Sequence, residues 1–151
     1  MKRLFISVVA VVFGASAGLA SAADNRQNFN GGGCDNYYAS DVSDFNHQTN
    51  GIRNVSSSSA YVHCDLTIDE AMNTGGTNFV WVRWAGTGTM SCTMMSRDVN
   101  GNLVSTVSNS GAPGWISIPA VSDNDIWGNY SMYCLLPANA RLETISMSEV
   151  D

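Results

Sequence analysis

Between Ala60 and Leu66 the chain alternates. Ala60, Val62, Cys64 and Leu66 fall on one face, and Tyr61, His63 and Asp65 on the other. That two-residue period marks a strand with one face in a core and one in water. The strand closes a stretch over residues 51–66 that opens on Asn50-Gly51 and runs through four serines, Ser56 to Ser59. Residues 79–84 form the strongest strand signal: Val80, Val82 and Trp84 alternate with Phe79, Trp81 and Arg83. Large groups on both faces mean either that the strand is central and covered on both sides, or that one face is a binding surface. Residues 90–97 and 102–108 flank Asp98-Val99-Asn100-Gly101. Asn-Gly between two strand-like runs predicts a type I′ hairpin. Residues 115–120 and 130–136 are two more strands, joined by an acidic loop over 122–129, and 142–147 is the last. Residues 37–50 have two tyrosines but no period and read as loop with one short strand. One helical turn is expected within 68–72, before the Thr74-Gly75-Gly76-Thr77 turn.

Short strands separated by Gly and Asn/Asp turns predict an all-β domain: a two-sheet antiparallel sandwich, jelly-roll-like, of eight or nine strands. Its core should contain Val62, Cys64, Leu66, Val80, Val82, Met90, Cys92, Met94, Ile116, Ile118, Met132, Cys134 and Leu136. The domain is expected over 34–151, after a flexible polar leader over 23–33. Before that, Lys2 and Arg3 precede an apolar run over 4–14, and Ala20-Ser21-Ala22 supplies a small-x-small cleavage site. Residues 1–22 thus read as a Sec-type signal peptide. No further run reaches spanning length, and the first cysteine is Cys34, so no lipid anchor is expected and the protein should be periplasmic or secreted.

Once the signal peptide is cut, five arginines face thirteen acids, a net charge of −8 with no lysine left. That balance argues against nucleic acid and anionic lipid as partners. Four cysteines in an exported chain read as two disulfides. Three pairings are open, and Cys34–Cys64 with Cys92–Cys134 is favoured, because Met90/Cys92/Met94 and Met132/Cys134/Leu136 look like two inward strand faces. A zinc site would need paired ligands at short spacing, which this chain lacks.

Cys34, the G-I-R-N-V-S and A-Y-V-H-C-D-L runs, Y-S-M-Y-C-L-L-P and the last strand ending near Glu149 together resemble a group of small exported bacterial proteins of unassigned function. That group's pattern has proline after the second cysteine and often after C-x-L-P; Asp65 and Ala138 stand there instead. The resemblance implies a disulfide-linked β-sandwich and carries no catalytic residues.

The chemistry legible in the residues is sparse. Nucleophilic catalysis needs a Ser or Cys beside an oriented base, but there are two histidines, His47 and His63, and no G-x-S-x-G. No enzyme is expected. Asp98-Val99-Asn100-Gly101-Asn102 resembles the start of a calcium loop without its distal Glu, and a hairpin explains it better. Asp123, Asp125 and Asn129 would supply hard oxygens to calcium, the one cofactor the loop suggests. Flat rings stack on the C–H faces of sugars and bury large area. Trp81 with Phe79 and Arg83, joined by Tyr61 and Tyr133 at outward strand positions, would form one aromatic platform. The class expected is a non-catalytic exported binding module for glycan or peptide. The alternatives are a structural or self-assembling subunit of the envelope or extracellular matter, and a hydrolase.

Overall fold

The computed structural model describes residues 26–67, 75–123 and 128–149. The signal peptide, the helical turn expected within 68–72, and Asp125 lie outside them. Eleven strands form two antiparallel sheets: β1 (Arg26–Asn30), β2 (Asp35–Asn36), β3 (Phe45–Gln48), β4 (Gly51–Asn54), β5 (Ala60–Leu66), β6 (Thr77–Ala85), β7 (Met90–Arg97), β8 (Leu103–Gly111), β9 (Gly114–Ile118), β10 (Asn129–Leu136) and β11 (Arg141–Glu149). The first sheet runs β3-β4-β11-β6-β9, with β1 also paired to β11, and the second runs β2-β5-β10-β7-β8. The sandwich expected from the alternation is present, and each of the thirteen core positions named above is buried. Among the described residues, no helix is long and apolar enough to cross a membrane.

The two or three strands beyond the expected eight or nine lie in the chain's first third. Residues 26–30, read as a loose leader, are β1, paired to β11 from Arg26↔Ser148 to Asn30↔Thr144. Phe29 packs against the core from this strand, while Arg26, Asn28 and Asn30 are exposed. One apolar side chain in five residues is too few for a two-residue period, so the strand is recognisable only by its partner. The same holds for β3, where Phe45 is the one buried residue.

The 51–66 stretch is two strands in different sheets. β4 pairs with β11 in the first sheet, β5 with β10 in the second, and the serine run carries the chain across the sandwich. Buried Asn54 sets this corner. Its Nδ2 donates to the carbonyls of Ser58 and Leu136 at 2.8 and 2.9 Å, and its Oδ1 accepts from the Ser56 N–H and hydroxyl at 2.9 and 2.8 Å. A buried amide of this kind keeps its place only when its donors and acceptors are matched.

Gly51 begins the stretch at φ +136°, and a Cβ there would run into the Leu142 carbonyl. Only glycine combines that conformation with so close an approach. The contact lies where β11 is irregular in register, between Leu142 and Thr144, and where β1 replaces β4 along its edge.

Both disulfides form as favoured, Cys34–Cys64 and Cys92–Cys134. Cys92 and Cys134 are direct cross-strand partners in β7 and β10. Asp35↔His63 in the β2–β5 pairing sets Cys34 opposite Cys64 in the same way. Each link therefore ties neighbouring strands of the second sheet. The β7–β8 turn departs from type I′. Gly101 takes φ +82° while Asn100 keeps negative φ, and the Asp98 carboxylate accepts from the N–H groups of Asn100 and Asn102 at 2.9 and 2.8 Å. Those bonds hold its carboxyl below the usual range, the side-chain amide of Asn102 contributing most. The turn's own donors thus fill the oxygens that resembled a calcium loop.

Candidate functional site

The expected single platform is two faces on opposite sides of the molecule. Phe79, Trp81 and Arg83 alternate on β6 with buried Val80, Val82 and Trp84, so they point outward from the first sheet. Tyr61 and Tyr133 are diagonal neighbours on β5 and β10, where the direct pairs are Tyr133↔His63 and Leu135↔Tyr61, and point outward from the second. The core lies between, so Trp81 cannot share a surface with Tyr61 and Tyr133.

On the first sheet the register lays the outward residues in rows across the strands. One row reads Ser117, Trp81, Ser146, Asn28, and the next Trp115, Arg83, Thr144, Asn30. Trp81 is 40% and Trp115 52% exposed, their ring centroids 6.4 Å apart at 62°, and Phe79 lies 5.0 Å from Trp81. Phe79, Trp81 and Trp115 are contiguous, and it is a contiguous exposed apolar patch, not a scattered single side chain, that marks an interaction surface. The Arg26 guanidinium sits 5.9 Å over Phe79 and 5.8 Å over Trp81, with its Nε donating to Ser146 Oγ at 2.9 Å. Arg83 lies 5.9 Å over Trp115 and its Nε meets Glu143 Oε2 at 3.0 Å. A hollow of about 550 Å³ is lined by Arg26, Trp81, Trp115 and Ser117. A second, of about 500 Å³, is lined by Asn28, Glu143, Thr144 and Arg83, the last of which lies over Trp115.

Arg26 and Trp115 were missed in the sequence. Trp115 had a usable signal, since it alternates with Ile116 and Ile118 and must point outward when they point in. Arg26 had none, because nothing local marks residues 26–30 as a strand.

The second face is built of tyrosines. Tyr37, just after β2, has ring centroids 4.8 Å from Tyr38, 6.0 Å from Tyr61, 5.7 Å from Tyr133 and 6.2 Å from His63. Its backbone N–H donates to the Tyr61 carbonyl at 2.9 Å. The rings meet at steep angles around a dimple of about 180 Å³, with Tyr37 and Tyr38 still exposed.

No catalytic or metal constellation assembles from the described residues. His63 Nε2 is 3.7 Å from Asp65 and His47 Nε2 3.8 Å from Asp35, both at the surface. All four cysteines are oxidised, and no group of three His, Cys, Asp or Glu among the described residues could hold a metal. Of the calcium candidates, Asn129 is exposed at the start of β10, whereas Asp123 is buried against the Tyr130 phenol. Tyr130 is buried too. Burial first, then the charges of Asp123 and Glu149, push its phenol well above the usual range.

The sign of the consequence follows from the unfolded chain, in which a tyrosine ionises near pH ~10. Above that pH the unfolded state loses a proton that the folded state keeps, so stability falls as pH rises, by about 1.4 kcal/mol per pH unit. Urea midpoints at rising alkaline pH should decline in the wild type and more shallowly in Tyr130→Phe. Equal slopes would mean that Tyr130 ionises freely in the fold.

No protein-family model and no curated protein matches the chain. Among solved structures, the chain is similar to the CBM36-1 domain of a multidomain xylanase from the hindgut metagenome of Trinervitermes trinervoides. The TM-score is 0.50 at 12% identity, over 84% of this chain and 99% of that one. It also aligns with a CBM6 module from Clostridium stercorarium in complex with cellobiose, at TM-score 0.47 and 12% identity over 82% and 94% of the two chains. The first of these likenesses establishes the β-sandwich fold.

Proposed function

We propose that this protein is an exported, non-catalytic glycan-binding module whose ligand lies on the outer face of the first sheet. The observation that carries the reading is the pair of exposed indoles, Trp81 and Trp115, side by side on an otherwise polar face. Indole rings offer broad flat surfaces to sugar C–H faces. Hydroxyl, amide and guanidinium groups stand in the same rows, at Ser117, Asn28, Thr144 and Arg83, ready to meet sugar hydroxyls. Phe79 supports Trp81 from below the row. The fold, shared with the CBM36-1 domain of a multidomain xylanase, supports the reading. Two disulfides suit an oxidising compartment.

The first sheet's face is preferred over the tyrosine face because the hollow beside its indoles, about 550 Å³, has room for a sugar chain, whereas the tyrosines leave a dimple of about 180 Å³. Tyr61 and Tyr133 therefore belong to a separate surface and are not part of this site. Calcium, if bound near Asp123, would serve the sandwich end and not this face.

Affinity electrophoresis and fluorescence titration against a panel of soluble polysaccharides test the reading. At least one glycan should retard the wild type and quench its tryptophan emission. Trp81→Ala and Trp115→Ala should each weaken that binding about tenfold or more, since a stacked aromatic contributes roughly 1–3 kcal/mol at a recognition site. Unaltered binding in both variants, with the fold intact, would refute it.

A further inference from the structure

We propose that the glycan taken by the first sheet's outer face is anionic, with carboxylate or sulfate ester groups on its sugar rings; this rests on the glycan-binding reading above. The described residues include five arginines, and four of them, Arg26, Arg53, Arg83 and Arg141, stand outward on β1, β4, β6 and β11. The strands of this sheet carry two acids, Glu143 and Glu149, and Glu149 is buried. Four arginines against Glu143 leave the face a formal charge of +3 on a chain whose expected mature form carries −8. The opposite face carries exposed Asp35 and Asp65 among its tyrosines. The fifth arginine, Arg97, is occupied in donating to the Gly101 carbonyl at the β7–β8 turn.

Folding alone gives no reason for this segregation. Arg53 and Arg141 are direct cross-strand partners, and like charges directly opposite destabilise a strand pair. Glu143 meets Arg83 and Arg141, and exposed Arg53 has no comparable carboxylate on its strand or on β3. A like-charged pair on the same face as the aromatic floor makes physical sense where an oxyanion from a ligand comes between the two guanidiniums. Guanidinium forks match carboxylate and sulfate geometry and keep their charge at every working pH.

The spacing suits a polymer. Arg141 lies two same-face steps along the strands from the Trp81 row, about 14 Å at strand rise. Arg26 marks the other end, over Phe79 and Trp81. A chain of several sugar rings running along β6 and β11 would stack on Trp81 beneath Arg26 at one end and bring a charged group to Arg141 and Arg53 at the other. Nucleic acid, the other polyanion with stackable rings, is disfavoured because a charge on every nucleotide calls for a denser basic surface than four arginines around Glu143 supply.

The test is calorimetry on the full secreted chain with oligogalacturonate, sulfated dextran, uncharged xylo- and cello-oligosaccharides of equal length, and oligodeoxythymidine. One of the two anionic glycans should bind about tenfold more tightly than any neutral one, and about 0.5 M salt should erase the difference. Which of the two does so identifies the oxyanion. The double variant Arg53→Gln/Arg141→Gln should lose the anionic preference while keeping the binding that depends on Trp81. If neutral glycans bind as tightly as anionic ones and the double variant is unchanged, the inference falls and the glycan reading stands. If no glycan binds, that reading falls and this one with it. Oligodeoxythymidine bound as tightly as the better anionic glycan would overturn the inference in favour of general polyanion attraction.

Discussion

Trp84→Ala should lower the stability of this protein by about 3–5 kcal/mol, the range for truncating a large buried aromatic. Trp81→Ala, three residues earlier on the same strand, should change it by only ~0.5–1 kcal/mol. Trp84 is 1% exposed, in the core between the sheets, whereas Trp81 is 40% exposed on the outer face. Losing the Trp84 ring leaves a cavity that well-packed neighbours fill only in part. Losing the Trp81 ring removes stacking with Phe79 and Arg26 but opens onto solvent. Trp84→Phe should recover much of the loss, because the buried indole N–H makes no hydrogen bond among the described residues and has none to forfeit. Denaturant midpoints for the three variants provide the check. Equal losses for Trp81→Ala and Trp84→Ala would place Trp81 in a covered environment and remove the binding face.

Removing the Cys92–Cys134 link by replacing both cysteines with alanine should be comparably severe. The bridge spans 42 residues of sequence, and the loop-closure model gives about 4 kcal/mol for a loop of that length. Both sulfurs are also fully buried, so the alanines leave unfilled space at the centre of the second sheet and add to the loss. The 30-residue Cys34–Cys64 bridge gives a similar entropic figure, about 3.7 kcal/mol. It lies nearer the sheet margin, tying the short β2 onto β5, so its removal should free β2 and the tyrosines after it before it unfolds the domain. Chemical denaturation with matched fluorescence and circular dichroism would show this. The Cys92/Cys134 variant should unfold in one shifted transition, and the Cys34/Cys64 variant should first change tyrosine emission. A Cys92/Cys134 variant as stable as the wild type would mean that strand pairing alone holds β7 to β10.

The strands with two or more inward apolar residues were legible because burial of one face imposes a two-residue period that no other element shares. Val62, Cys64 and Leu66, or Met90, Cys92 and Met94, declare their inward face without a structure. Three disulfide pairings stayed open in the sequence; the matching inward faces of Met90/Cys92/Met94 and Met132/Cys134/Leu136 favoured one, and strand pairing decided it. Strands β1 and β3 were not legible, because Phe29 and Phe45 each stand alone in a polar run and are ordered by the strands they pair with. The hairpin turn was misread in detail. Asn-Gly favours a two-residue turn, but the Asp98 carboxylate recruits the backbone of Asn100 and Asn102 and stabilises a longer one.

For the candidate site, the local pattern determined which way each ring points and nothing more. Trp81, Tyr61 and Tyr133 all point away from the core, as their alternation with Val82, Val62 and Cys134 requires. Whether outward rings on different strands meet depends on which sheet each strand joins, and that is decided by pairing between residues far apart in the chain. The tertiary structure alone therefore separated the tyrosines from the tryptophans and brought Arg26 and Trp115 to Trp81. It also set Arg53 against Arg141, because strand order is a property of the assembled sheet and leaves no period in the sequence of any one strand.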